Sequence, residues 1–351
     1  MKMPLPILDF VIYEDKCNLH CRYCYSSEIL KPTQYPQLLS EELLSNVINI
    51  IRKISNEYDI GILKFSGGEI LLYKNLNLLL KKVCRYAAIV QLQTNGLLLN
   101  SKLIQELSQI ENLSMQVTLD GHLPYMNSYR MGEQAHQILL KNIYKLVQII
   151  PTDITVCIHD RNIEKLIEFA EFIYNMPGEV SMNFIPIRHI DPQFWPKLNE
   201  SNMLDYLNEK SFLRRILPPK LFIENMTKFI NSHNKNIFIC RIPIISLGVN
   251  EQGIVKCCPL LETSARTKLG NILEKKSLAL SEVGLGKIHK SLMHPRIHTE
   301  SCKKCFSYLE VLNYYVQGLV GEKELNYCWV YRNKKFKDIL YRVKIAYEEK
   351  I

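Results

Sequence analysis

Three cysteines within eight residues, in Cys17-Asn18-Leu19-His20-Cys21-Arg22-Tyr23-Cys24, constrain this chain more than any other stretch of it. Thiolates are the ordinary protein ligands of iron–sulfur clusters, and a cube of four irons normally takes four of them. A C-x3-C-x2-C run can hold three corners, which leaves one iron open to a ligand that is not protein. Zinc completed by a distant fourth ligand is another reading of the same thiols, as is partial coincidence in a chain with 11 cysteines. The triplet follows directly on Ile7-Leu8-Asp9-Phe10-Val11-Ile12-Tyr13, a β-rich apolar run. It is therefore expected in a loop at the carboxyl end of a first strand, where parallel α/β barrels place catalytic groups.

Behind the triplet the pattern repeats. Ser40 reads as an N-cap, with Glu41 and Glu42 in the first turn of a helix running to about residue 55. Strands over 62–66, 89–94, 113–119, 154–159 and 180–187 alternate with helices over 75–86, 101–108, 133–147 and 163–174. Such alternation argues for βαβ units on a parallel α/β sheet, and by itself it allows either an open barrel or a doubly wound sheet. A length of 351 residues leaves room for two domains. No run approaches 18 apolar residues and the amino terminus lacks a signal-peptide pattern, so a cytoplasmic chain with no membrane partner is expected. There, cysteines serve as ligands or reactive thiols rather than disulfides. The net charge of +9 is spread along helices, and its densest patch, Arg332-Asn333-Lys334-Lys335-Phe336-Lys337, reads as a solvated face. No nucleic-acid partner is expected.

Small polar residues and glycines close the strands. In Ser66-Gly67-Gly68-Glu69 the glycines would let a ligand approach the backbone, and the carboxylate can pair with an ammonium group. Thr94-Asn95-Gly96 and Thr118-Leu119-Asp120-Gly121 end the next two strands and are, at their plainest, strand-terminating turns. With aromatic Tyr23 just before the last cysteine, the triplet and Gly67-Gly68-Glu69 together resemble the signatures of the radical S-adenosylmethionine enzymes. The resemblance implies a partial (β/α)6 TIM-like barrel and a [4Fe-4S] cluster on Cys17, Cys21 and Cys24. It implies S-adenosylmethionine on the open iron, cleaved reductively with an electron from a flavodoxin or ferredoxin. The 5′-deoxyadenosyl radical so formed would abstract a hydrogen atom from substrate. Gly67, Gly68 and Glu69 would grip the cofactor's amino group, while Tyr23, Thr94, Asn95, Thr118 and Asp120 would line its pocket. Arg130 falls where related maturases carry His-Asp-x-x-Arg; Met126-Asn127 replace the first pair, so only the arginine is carried over. His159 and His189 end the fifth and sixth strands and point toward the same rim, although a lone histidine is more often structural.

A second cysteine group lies downstream. Residues 191–236 read as a linker with helices over 202–210 and 219–232. Strands over 244–249 and 254–258 flank Asn250-Glu251-Gln252-Gly253 as a β-hairpin. Cys240 and Cys258 around this hairpin, with the knuckle Cys302-Lys303-Lys304-Cys305, make a closed four-ligand site for zinc or an iron–sulfur cube. The arrangement resembles the SPASM extension of radical enzymes in its shortened, twitch form, because Val311 and Tyr315 stand where the full form has further cysteines. It implies one auxiliary [4Fe-4S] cluster on Cys240, Cys258, Cys302 and Cys305. Cys257 could replace Cys258, Cys328 could be a distal remnant, and Cys84 and Cys157 read as inert buried thiols. The expected organisation is a barrel over 1–190, a linker over 191–236, a hairpin-plus-helix auxiliary domain over 237–330 and a final helix over 331–351.

What the resemblance implies of function is a peptide maturase, acting on a ribosomally synthesised peptide to leave a cross-link, thioether or epimer. Cys257 and Cys328 are the candidates to act on the substrate radical. Pro259 stands where sulfatase maturases carry an aspartate base, so formylglycine formation is not expected. Two alternatives stay open: a small-molecule radical dehydrogenase, for instance of an aminosugar, and a non-catalytic iron–sulfur or metal-binding protein. Gly67-Gly68-Glu69 argues against the last, since a structural cluster needs no ammonium-gripping loop. Fold and cofactor leave the substrate open.

Overall fold

A computed structural model describes residues 2–24, 26, 31–33, 37–187, 192–196, 209–232, 245–256, 268–273 and 306–348. Six strands, β1 (Met3–Ile12), β2 (Tyr58–Gly67), β3 (Ala87–Thr94), β4 (Leu113–Thr118), β5 (Thr152–Ile158) and β6 (Val180–Pro186), lie side by side in chain order. All five pairings are parallel. The order never reverses from β1 to β6, which removes the doubly wound alternative, because that fold has a switch point where the strand order turns back. Beyond β1 the sheet continues. Ser246–Asn250 (β7) pairs parallel with β1, Ile7 opposite Ser246, and Ile254–Lys256 (β8) and Lys268–Asn271 (β9) follow antiparallel. The expected hairpin is thus an extension of the barrel sheet, and the anticipated boundary at 237 lies outside the described residues.

Helices α1 (Glu41–Glu57), α2 (Leu76–Val83), α3 (Ser101–Leu107), α4 (Glu133–Leu146) and α5 (Leu166–Tyr174) connect the strands. Helix α1 shows why. Ser40 caps it by accepting the Leu43 N–H at 3.1 Å, and Leu44, Val47, Ile50, Ile51 and Ile54 recur on one buried face. They meet the apolar parity of the strands, such as Leu8, Phe10 and Ile12 of β1, in one core. The opposite parity is polar. Gln91 of β3 donates to Asp153 of β5 at 2.9 Å, across an intervening strand, so this is the concave interior. Asp9, Lys64, Gln91, Ser114, Gln116, Asp153, Thr155, Ser181 and Asn183 are all buried there.

The amino-terminal mouth of this interior is stoppered by residues after 306. Lys64 Nζ donates to the Tyr308 hydroxyl at 2.6 Å, Tyr327 to Asn183 at 3.0 Å, and the Cys328 thiol to Asp153 at 3.0 Å. A last helix, Lys334–Glu348, packs on β1 and β2 and ties Arg342 to Asp59 at 2.7 Å. On the outer edge of β6, the Ile216 carbonyl accepts the Met182 N–H at 2.8 Å. Among the described residues, the carboxyl ends of the strands lead into the loops that carry the cysteine triplet and Gly67-Gly68-Glu69. No helix among the described residues is long and apolar enough to cross a membrane.

Candidate active site

β1 runs into the cysteine loop through Tyr13, the one described non-glycine residue with positive φ, +46°. Cys17 is buried, and its sulfur receives the Leu19 N–H at 3.4 Å and the Asn95 amide at 3.9 Å. The loop then turns tightly, Cys24 N–H to the Cys21 carbonyl at 3.1 Å. Burial pushes the Cys17 thiol up to about 11, with the Leu19 N–H opposing and Glu69, Cys21 and Cys24 reinforcing. Cys21 and Cys24 are also raised, chiefly by burial. The three thiols therefore feel one another on one loop.

The two glycines after β2 turn out to serve the protein itself. Gly67 sits at φ +152°, and a Cβ there would overlap the Ile12 carbonyl; a Cβ at Gly68 would overlap the Lys16 carbonyl. Both residues bed the β2 loop against the cysteine loop, through Gly68 N–H to Tyr13 at 3.3 Å and Glu69 N–H to Lys16 at 2.8 Å. The chain's own packing thus already demands glycine at both positions, a requirement that the local sequence does not reveal. The Glu69 carboxylate is buried and accepts from Leu71 N–H (2.9 Å) and Thr94 Oγ1 (2.6 Å) on Oε1, and from Asn95 N–H (2.7 Å) on Oε2. Burial raises its pKa against these donors. Oε2, with a single donor, keeps the spare acceptor capacity.

Across the loop stands a second group. Asp120 is fully buried, with Oδ1 on the Cys157 N–H at 3.1 Å and Oδ2 on the Tyr23 hydroxyl. Arg130 donates to the Thr118 carbonyl at 2.7 Å. Burial works against its charge, but Tyr23, Asp120, Cys21 and Cys157 outweigh this and hold its pKa up. His159 is also fully buried, its Nε2 3.6 Å from Asp120. The strand ends thus bring together Cys17, Cys21, Cys24, Gly67, Gly68, Glu69, Thr94, Asn95, Thr118, Asp120, Arg130 and His159. Asp120 and His159 stand in its wall rather than on its open surface.

Residues 11–173, which span this constellation, match the family model of the Radical SAM superfamily. They form a Radical SAM domain. A GTP 3′,8-cyclase of Syntrophomonas wolfei is 28% identical over 191 residues, 52% of this chain and 56% of the relative. The sporulation killing factor maturation protein SkfB of Bacillus subtilis is 27% identical over 168 residues, 48% of this chain and 39% of SkfB. The chain thus spans about half the length of such curated relatives. Among solved structures, Streptococcus suis SuiB bound to S-adenosylmethionine superposes with a TM-score of 0.57 at 17% identity, covering 87% of this chain and 72% of SuiB. SuiB bound to its precursor peptide SuiA gives 0.53 at 15% identity, over 78% and 64%. These structures share the partial barrel.

A Radical SAM domain is an enzyme domain, and its cofactors are a [4Fe-4S] cluster and S-adenosylmethionine. The residues present fit the cluster. Three thiols lie on one loop, and N–H donors are aimed at the Cys17 sulfur. No three His, Cys, Asp or Glu among the described residues converge as a single-ion site. A cube does not ask for that, because each of its thiolates holds a different iron. With every thiol raised, thiolate formation has to accompany metal binding, which releases the protons.

Two cysteines are placed differently from their reading in the sequence. Cys157, read as an inert buried thiol in the middle of its strand, lies near the carboxyl end of β5, largely buried and packed beside Tyr23. Alternation was the signal that could have found it: Ile154, Val156 and Ile158 take the apolar parity and leave Thr155 and Cys157 facing inward. Cys328 was a candidate to act on the substrate radical, and its placement overturns this. It is buried on Asp153, near the amino-terminal end of β5 and so at the opposite end of the barrel from the rim. Cys240, Cys257, Cys258, Cys302, Cys305 and His189 lie outside the described residues.

Proposed function

We propose that this chain is a radical SAM enzyme that removes a hydrogen atom from a ribosomally synthesised peptide, giving a cross-link, a thioether or an epimer. The observation that carries the chemistry is the three-thiol loop bedded on Gly67-Gly68-Glu69 at the open end of the barrel. When bound, the cluster and S-adenosylmethionine supply a carbon-centred radical by one-electron cleavage. Cys17, Cys21 and Cys24 would hold the cluster, and Glu69 Oε2 is the acceptor for an ammonium group beside it. Asn95, bonded to Asn18 at 2.7 Å, fixes the loop against β3. Tyr23, Tyr129 and Phe194, with Ile187 and Cys157, form a small apolar cluster that keeps water from one wall of the site.

The peptide part rests on SkfB, a maturation protein by name, and on SuiB, whose fold this chain shares and which binds a precursor peptide. An auxiliary [4Fe-4S] cluster on Cys240, Cys258, Cys302 and Cys305 belongs to the same reading on sequence alone. The matching cyclases favour a second reading, a nucleotide triphosphate substrate. A triphosphate needs uncompensated positive charge. In the barrel interior Lys64 faces Asp9 and Asp153, so its charge is already answered.

Both readings meet one experiment. The anaerobically reconstituted chain is given S-adenosylmethionine, a reductant and either GTP or the short peptides encoded beside its gene. Peptide-dependent 5′-deoxyadenosine, with loss of two hydrogens or deuterium uptake from heavy water, is the expected result. Turnover with GTP alone would replace the peptide reading.

A further inference from the structure

The segment leaving β4 holds two consecutive residues of the cysteine loop. The Arg22 N–H donates to the Tyr129 carbonyl at 2.8 Å, and the Tyr23 hydroxyl donates to Asp120 Oδ2. Asp120 is itself fixed on every side. Its other carboxylate oxygen takes the Cys157 N–H, its own N–H donates to Asn127 Oδ1 at 2.9 Å, and its carbonyl accepts Asn162 Nδ2 at 2.9 Å. Asn162 Oδ1 accepts the His159 N–H at 2.9 Å, so the histidine belongs to the same frame. On the His159 ring, Nδ1 accepts the Arg161 N–H at 3.2 Å, which leaves the ring proton on Nε2. That Nε2 faces Asp120 Oδ2 from 3.6 Å and has no hydrogen-bond partner.

A contact to ribose or to an amino-acid carboxylate needs a polar atom open to the ligand. Asp120 has 0% exposure, and each of its oxygens already carries a protein donor. We infer that Asp120 is a positioning residue that acts through Tyr23. It clamps the middle of the cysteine loop, and His159 is a second donor waiting on the same carboxylate oxygen. Tyr23 lies between Cys21 and Cys24, so pinning its hydroxyl sets where those two sulfurs stand. The contacts are independent of bound cofactor, while their consequence for the cluster rests on the radical SAM reading.

The test uses the full-length, cofactor-free chain. Alkylation by iodoacetamide is followed residue by residue with peptide mass mapping in Tyr23→Phe, Asp120→Asn and the double variant. Cys24 is the reporter, because it adjoins Tyr23 on the loop and is only half-buried, within reach of the reagent. Half-buried Cys84, on the far side of β3, is the internal standard and reports any general loosening. Each single variant is expected to speed Cys24 alkylation roughly tenfold, the effect of losing one charge-assisted hydrogen bond. The double variant should be no faster than the faster single one, because both remove the same contact. After reconstitution, S-adenosylmethionine affinity should fall in the same non-additive way.

Unchanged Cys24 reactivity in Asp120→Asn, or effects that multiply in the double variant, would overturn the clamp. Tyr23→Phe alone decides the matter if Asp120→Asn does not fold. A chain that shows the clamp yet forms no 5′-deoxyadenosine would contradict the proposed chemistry and leave the clamp standing.

Discussion

The two ends of the barrel interior solve the same problem in opposite ways. Both are lined by polar side chains, which must find partners once buried. At the amino-terminal mouth the partners come from far along the chain: Tyr308, Tyr327 and Cys328 bond to Lys64, Asn183 and Asp153, leaving that end plugged. At the carboxyl rim the partners come from neighbouring loops, as in Glu69 on Thr94 and Asn95, or Asp120 on Tyr23. Loop partners fix the frame and leave the thiols between them available. One end is built for stability and the other for chemistry.

Four substitutions break or sharpen that contrast. Gly68→Ala should act most strongly, since its Cβ would overlap the Lys16 carbonyl and push the cysteine loop off its bed. Iron loading on Cys17, Cys21 and Cys24 is expected to fall at least about tenfold with the fold retained, read as iron per chain alongside circular dichroism. At the plugged end, Asp153→Leu strips Gln91, Ser181 and Cys328 of a shared acceptor and Lys64 of a nearby countercharge. Breaking a buried charge arrangement costs about 3–5 kcal/mol. Urea unfolding should show it, while iron bound per folded chain holds steady.

Glu310, next to the plug, gives a pH-dependent test. Burial lifts its carboxyl from 4.5 to about 7, against the Asn313 amide hydrogen bond. A raised folded pKa favours the protonated form, so its contribution is fully present below 4.5 and is lost as pH rises through 7. Glu310→Gln should therefore stabilise the chain by about 3 kcal/mol at high pH and scarcely at all at low pH. Thermal melts at both pH values would expose the opposite trend if it exists. The smallest effect is expected from Cys328→Ala, about 1 kcal/mol for one buried hydrogen bond. Its 5′-deoxyadenosine yield should stay at the native level, and a collapse of that yield would return Cys328 to the chemistry.

Period and spacing make the rim legible in the sequence. The strand run around Ile7, the Ser40 cap and the Gly67-Gly68-Glu69 turn each depend on residues adjacent in sequence, where local rules apply. The misread features depend on distance. Nothing near Cys328 tells that it will meet Asp153, 175 residues away. Nor does the 246–250 run announce that it will lie beside β1 and prolong the barrel sheet. The packing demand on Gly67 and Gly68 is of the same kind, because the backbone they accommodate belongs to β1 and the cysteine loop more than 50 residues earlier. Cys157 was within reach of simple alternation along β5.

The most direct test of the account compares the native chain with a Cys17→Ala, Cys21→Ala, Cys24→Ala variant after anaerobic reconstitution. Iron, sulfide and reductant-dependent 5′-deoxyadenosine are measured on both. The account predicts about four fewer irons per chain in the variant, one cube's worth, and no 5′-deoxyadenosine. Equal iron and equal 5′-deoxyadenosine in the two proteins would contradict it, because the chemistry would then reside somewhere other than the rim.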